Sequence, residues 1–246
     1  MTISRKITDI VIRIICYNFS CNQKEDMLAT LGFTITGVCF GIFAYTFSHL
    51  VISKTDLKLN QFSYAYYSLG LALLTWGIAA TIGGDDLLRR SVLVGNGFLF
   101  VGTLFMLDIW LGKKNRNWLY LAALVAVALL YVRATYYSPT PYMRGGILIF
   151  NTQTVVAAIL AGIFAFIWLP VNLKVAKLVT SAIGQEVIAQ MYSAIYVTAT
   201  AAVLVFLAAR RTVTVVLSFI AIGICFLMLI RSNILVSKIT EGRRGK

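Results

Sequence analysis

The sequence predicts an all-α polytopic membrane protein, a bundle of seven transmembrane helices, and three observations carry that expectation. Hydrophobic residues make up 59% of the 246-residue chain, and a mean hydropathy of +0.84 lies above the range of water-soluble domains. Only 13% of residues are charged, too few to cover a soluble surface. Seven apolar runs, near 28–52, 62–82, 91–111, 118–137, 146–169, 187–209 and 212–230, leave little for a water-exposed domain.

Each run is close to the ~20 residues that cross a hydrocarbon core. None alternates with a period of two, so helices rather than barrel strands are expected throughout. Ahead of them, residues 1–27 form an interfacial segment. Ile3, Ile7, Ile10, Val11 and Ile14 recur at helical spacing with Arg5, Lys6, Asp9 and Arg13 on the other arc. That pattern predicts a helix lying on the membrane surface or packed on a partner subunit. No cleavable leader is expected, because the first apolar run begins near Met27 and is too long for one. The transmembrane domain then occupies 28–230 and a basic C-terminal tail 231–246.

The fourth span is the shortest, uninterrupted only from Trp118 to Val132, and Arg133 must reach toward the headgroups. Without it the bundle has six helices. Breakers agree with the boundaries: Gly83-Gly84-Asp85-Asp86, Gly112 to Arg116, Ser138 to Pro141, and Pro170 all fall between spans, so no proline is expected inside a helix. Tyr64, Tyr66 and Tyr67 at the second span, and Tyr131, Tyr136, Tyr137 and Tyr142 around the fourth and fifth, read as an interfacial belt.

The formal net charge of +13 lies in loops and tails, which points to anionic lipid headgroups rather than nucleic acid. Lys and Arg divide ten to the N-terminal side and twelve to the C-terminal side. The Lys113-Lys114-Asn115-Arg116 loop and the basic tail favour an inside C-terminus and an outside N-terminus, in the plasma membrane. Cys16 and Cys21 precede the first span and Cys39 and Cys225 lie within spans. With no CxxC and no neighbouring histidine, no metal is expected, and the latter two read as small packing residues.

At an offset of 121 residues Gly41-Ile42-Phe43-Ala44 meets Gly162-Ile163-Phe164-Ala165, Phe47 meets Trp168, and Arg89-Arg90-Ser91-Val92 meets Arg210-Arg211-Thr212-Val213. A 3+1+3 parallel repeat follows, with spans one to three matching five to seven after a gap of about four residues in the second spans. Gly37 with Gly41, and Ala158 with Gly162, would then form matching small-residue packing faces.

The polar equipment of most membrane enzymes is missing. A single histidine excludes bis-histidine haem, no lysine lies between Lys177 and Lys238 to bind retinal, and HExxH, GxSxG and Walker motifs are absent. Asp85 and Asp86 beside Arg89 and Arg90 read as a solvated, self-neutralising loop. No cofactor and no enzymatic activity are expected. The remaining intramembrane polar residues are the candidates for function. Trp76, Asn96, Asn151 and Gln153 share a depth of roughly 7–10 Å below the N-terminal face, and with Arg133 they would line a ligand cavity. The alternative is that the amides bond across helices for about 0.6 kcal/mol each. His49 and Asp108 near the other face are candidates for a proton-linked pair.

The function expected is a non-enzymatic ligand-binding, sensory or scaffold module acting with a membrane protein partner or a small ligand. The alternatives are a small-solute transporter of 3+1+3 architecture and a structural subunit of a larger complex. Against transport stands the apparent lack of interrupted helices and intramembrane prolines.

Overall fold

The computed structural model describes residues 24–55, 57–82, 85–111, 117, 121–122, 125, 142–144, 147–149, 160–209 and 212–244. Six of its helices are long and apolar enough to cross a membrane, and the described chain is helical apart from one small hairpin. Most of the predicted fourth span, the interfacial segment, Cys16, Cys21, Arg133, Asn151, Gln153 and Ala158 lie outside the described residues.

Helix α1 (Lys24–Thr46) continues without a break through a π-helical segment, Phe47–Ile52, and a closing turn, Ser53–Thr55. Helices α2 (Asn60–Ile82) and α3 (Asp85–Leu111) follow on short connections. A fourth spanning rod, Leu160–Ile183, contains a second π segment, Phe164–Trp168, and ends in α4 (Leu169–Ile183). Helices α5 (Glu186–Ala208) and α6 (Thr212–Arg244) complete the set.

Three features differ from the expectation. Strands β1 (Tyr142–Arg144) and β2 (Ile147–Ile149) pair antiparallel where the sequence predicts the beginning of a helix, and β2 lies against α1. Gly145-Gly146 between them is the dipeptide that a two-residue hairpin connection favours, a local signal that the apolar run around it conceals. Consequently the fifth predicted span, 146–169, is shifted to Leu160–Ile183 and carries Pro170 inside it. Proline donates no amide proton, and its ring crowds the carbonyl four residues back. The π segment ends just before it, with Leu169 N–H bonding five residues back to Phe164 O, and this wider turn accommodates the ring. Thirdly, α3 starts at Asp85 and not at 91. The exposed Asp86 and Arg90 form an i,i+4 ion pair of 2.9 Å, so they neutralise each other on a helix rather than in a loop. At the other end α6 runs through most of the predicted tail, because Asn233, Val236 and Ser237 are buried there.

Helix directions are fixed by contacts that climb together. Between α1 and α6, Phe33 meets Phe219 and Phe40 meets Phe226 at ring separations of 4.9 and 4.0 Å, then Thr46 meets Asn233, then Lys54 meets Glu241. These helices are parallel. Likewise Thr103 and Ile109 of α3 meet Trp168 and Lys174, at 3.2 and 3.0 Å, so α3 and the Leu160–Ile183 rod are parallel too. Leu160 is therefore level with Gly95, about 24 Å along the axis from Leu111.

Association of helices in lipid has no hydrophobic drive between apolar surfaces, so close packing must supply it. A close backbone approach joins Gly37 of α1 to Gly70 of α2, where a Cβ added to either glycine would lie 2.9 Å from the other's carbonyl oxygen, and one added to Gly70 would also lie 3.4 Å from Gly41 N. A Cβ on Gly41 itself would meet nothing within 4 Å, and one on Gly162 only a ring edge at 3.9 Å. Of the small residues read from the sequence, Gly37 and Gly41 thus face Gly70 of α2. Gly184, at φ 70°, ends α4 in the left-handed conformation that glycine adopts freely, and its N–H bonds to Thr180 O. We expect Gly37→Leu to destabilise by about 1–3 kcal/mol, the usual cost of overpacking, and Gly41→Leu to be nearly neutral. Thermal unfolding in detergent measures both, and equal losses would contradict this account of the α1–α2 contact.

Candidate functional site

Where the helices converge the core is aromatic, with Phe40, Phe43, Phe47, Phe62, Tyr66, Trp168, Tyr192, Tyr196 and Phe226 all buried. Among these rings lies a cavity of about 30 Å³. That is room for one water-sized body. Phe40 of α1, Phe164 and Trp168 of the π segment, and Phe226 of α6 wall it, and Tyr66, Asn172, Tyr196 and Thr200 also border it, although the surface facing the space is almost entirely apolar. None of its lining residues carries a formal charge.

Its polar groups are placed by different elements. Tyr66, on α2, donates its hydroxyl proton to Asn172 Oδ1 at 2.9 Å, across to α4. That bond occupies the amide oxygen and leaves the Nδ2 protons of Asn172 as donors. Trp168 is held from behind, donating Nε1–H to Thr103 Oγ1 at 3.2 Å, and Thr103 bonds back to Leu99 O. The Tyr196 hydroxyl has no hydrogen-bond partner among the described residues, although its residue is only 1% exposed. In a hydrocarbon interior such a group is costly, by about 1–3 kcal/mol, and here it borders the cavity.

Toward the C-terminal ends of α1 and α6 the cavity gives way to a second polar cluster. Tyr192 donates to Asn233 Oδ1 at 2.6 Å, Asn233 Nδ2 donates to Thr46 Oγ1 at 2.9 Å, and Thr46 bonds to Phe43 O. Three helices, α5, α6 and α1, are tied by these groups. Farther along, Lys54 bonds Ser237 and pairs with Glu241. Toward the opposite end Phe33, Trp76, Phe206 and Phe219 form an aromatic cluster.

Of the residues singled out from the sequence, Arg133, Asn151 and Gln153 lie outside the described residues, and the others are placed as follows. Trp76 is buried in that aromatic cluster, its indole against Gly95, where a Cβ would lie 2.0 Å from Nε1. Asn96 follows directly in α3, yet it is exposed on the outside of the bundle and lines no part of the cavity. Proximity along the chain and in depth did not place the two side chains on one face. His49 is exposed in the first π segment and stacks on Tyr45 at 4.4 Å. It takes part in neither ion pair formed between described residues, Lys54–Glu241 and Arg90–Asp86. Asp108 is half-buried near the end of α3. Cys39 and Cys225 are buried free thiols.

Sequence reasoning missed Tyr66, Asn172, Tyr196 and Thr200. Tyr66 was grouped with the interfacial tyrosines, and Asn172 fell in the supposed loop after Pro170. In the structure Tyr66 and Tyr192 are each the seventh residue of a 23-residue helix, a correspondence that the predicted span boundaries obscure. Compared with known proteins, the chain matches no family model, no curated protein and no solved structure.

We expect Asn172→Leu to destabilise by about 1–3 kcal/mol, because it strands the Tyr66 hydroxyl without a partner. Tyr196→Phe removes a hydroxyl that has none and should leave stability unchanged or slightly raised. Paired thermal melts check both, and a large loss in Tyr196→Phe would mean that this hydroxyl is bonded.

Proposed function

We propose that the chain is a non-enzymatic membrane protein that holds a small polar solute in the central cavity and passes it across the bilayer between two three-helix units. The observation that carries this reading is the cavity's position: α1 and α2 wall it from one unit, and the Leu160–Ile183 rod, α5 and α6 from the other. Transporters commonly place their sites near the midplane at the junction of two repeats and build them from interrupted helices. Phe226 precedes the exposed Arg231 by five residues, about 7.5 Å, and Trp168 precedes the exposed Lys174 by six, about 9 Å, which puts the cavity between the midplane and the C-terminal face. Helix irregularity supports the reading, since the first rod of each unit contains a π segment and the second also contains Pro170.

The two-unit arrangement has further support. Helices α2 and α5 begin 126 residues apart, at Asn60 and Glu186, and have equal lengths of 23 residues. Helices α3 and α6 begin 127 apart, at Asp85 and Thr212. In each unit the middle helix uses a tyrosine, Tyr66 or Tyr192, to bond an asparagine on another helix, Asn172 or Asn233. The offset of 121 applies to the π-bearing rods only. Arg89 and Arg90 lie inside α3, whereas Arg210 and Arg211 precede α6, so that part of the sequence match does not join equivalent positions.

A seventh crossing is supported by helix direction: α3 and the Leu160–Ile183 rod are parallel, and Leu160 lies about 24 Å back along the axis from Leu111. Parallel units then follow. Exposed Lys58, Lys174, Lys177, Arg231 and Lys238 share the end that carries the C-terminus. At the other end the exposed Arg90 is paired with Asp86. This asymmetry supports a cytoplasmic C-terminus, an outside N-terminus, and contact of the basic rim with anionic headgroups of the plasma membrane.

The test is flux. Proteoliposomes containing the full chain should respond to an osmotic step of impermeant sucrose, which reads water, or to an inward gradient of potassium chloride with valinomycin, followed by light scattering. At least one solute is expected to cross faster than in protein-free vesicles and to slow in Asn172→Leu. Should none cross faster with folded protein, the transport reading fails, and saturable binding without flux would support a sensory or scaffold module instead.

A further inference from the structure

We infer that Arg231 and Lys238 of α6 together hold the phosphomonoester headgroup of an anionic membrane lipid. This rests on the reading of the basic rim given above and adds one site on it and the chemical class of its occupant. Along α6 the exposed side chains Val213, Leu217, Ile220, Ile224, Leu227 and Met228 recur every three or four residues and form one outward apolar stripe, which ends at Arg231. The depth of that end is set by other helices. On α3 the exposed Arg90 and Trp110 are 20 residues apart, about 30 Å, which is the thickness of a hydrocarbon core. Trp168 bonds Thr103, seven residues before Trp110, and the rings of Trp168 and Phe226 both meet Tyr66, at 5.4 and 5.6 Å. Trp110 and Arg231, seven residues beyond Thr103 and five beyond Phe226, therefore stand within a turn of one level. Exposed Tyr45, five residues beyond Phe40, joins them, because Phe40 meets Phe226. Two aromatic side chains thus mark the interface where Arg231 emerges.

Beyond this level the stripe changes character. Lys238 follows Arg231 by seven residues, two turns or about 10.5 Å, so both cations lie on one line of the helix. Exposed Ile234 and Leu235 flank that line between them, one on either side. Long stems let the guanidinium and the ammonium converge on a group held between the two turns. Neighbouring cations are engaged by the protein: Lys54 pairs with Glu241, and Lys174 donates to Ile109 O at 3.0 Å. The two ion pairs between described residues, Lys54–Glu241 and Arg90–Asp86, use neither Arg231 nor Lys238. A phosphomonoester carries nearly two negative charges at neutral pH and has three terminal oxygens. It can accept the arginine fork in two bonds and the lysine in a third. A phosphodiester headgroup has one charge and two free oxygens, so it matches a single cation. A second copy of the chain is the poorer occupant, because paired parallel stripes would set Arg231 and Lys238 against their own counterparts.

Thermal unfolding of the purified full chain in neutral detergent should be titrated with dioctanoyl phosphatidic acid, dioctanoyl phosphatidylglycerol and inorganic phosphate at constant ionic strength. Phosphatidic acid is expected to raise the melting temperature saturably, and to do so at a concentration about fivefold or more below that needed of phosphatidylglycerol, the value of a second cation near an anionic group. Inorganic phosphate, which has no chain to lie on the apolar stripe, should leave it unchanged. Arg231→Gln and Lys238→Gln, at exposed positions where folding is undisturbed, are each expected to reduce the preference to about twofold or less. Lys177→Gln, which removes a rim charge on α4, is expected to keep it. Equal responses to the two lipids, a response to inorganic phosphate as strong as to phosphatidic acid, or a preference that survives in both α6 variants would each overturn the assignment. If the preference is absent while water or potassium chloride still crosses, the lipid site falls and transport stands. If the preference holds without flux of any solute, the lipid site stands and transport falls.

Discussion

Inside a hydrocarbon layer no water is at hand to satisfy a polar group, and the architecture of this chain follows from that constraint. Each buried donor or acceptor has to be matched by the protein itself. Hydroxyls within helices do so locally: Thr75, Thr180, Thr198, Ser218 and Ser232 all bond to the carbonyl four residues back. Larger polar groups do so between helices. Tyr66–Asn172 ties α2 to α4, and Tyr192–Asn233–Thr46 ties α5, α6 and α1. Against this background the buried hydroxyls of Ser63 and Tyr196, which have no partner among the described residues, are exceptions.

Membership of the helices was legible in the sequence because it depends on composition summed over about twenty residues. For five of the described spans the apolar runs overlap the observed helices closely. The failure came at residues 142–169, where uniform apolarity hides the distinction between hairpin and helix and only Gly145-Gly146 marks it. Pro170 compounded the error. Treated as a boundary, it moved Asn172 out of the membrane, although a π turn lets a spanning helix tolerate a proline.

The site itself was not legible, for a different physical reason. Depth along a helix can be counted at 1.5 Å per residue, but the face a side chain occupies depends on which neighbours pack on it. Asn96 and Trp76 illustrate the difference. They share a depth, yet Gly95 receives the Trp76 indole and turns Asn96 to the outside of the bundle. Tyrosines were equally misleading. A tyrosine near the end of an apolar run is usually an interfacial anchor, whereas Tyr66 is buried because α2 is enclosed between α1 and α3.

Along its axis the bundle is unequal on the two sides of the cavity, and the inequality has consequences for which side water can approach. One side is sealed by Phe33, Trp76, Phe206 and Phe219, whose rings meet edge to face or tilted at 4.9 to 6.2 Å and offer almost no hydrogen-bonding capacity. The other side is closed by Thr46, Tyr192 and Asn233, then by Lys54 with Ser237 and Glu241. Hydrogen bonds of this kind can be exchanged for bonds to water at small net cost, since a new partner replaces each one lost. Aromatic packing has no such substitute, because separating the rings leaves apolar surface facing water. The contacts of the polar cluster are therefore the ones that water could replace at lower cost, on the side of the cavity toward the exposed basic residues.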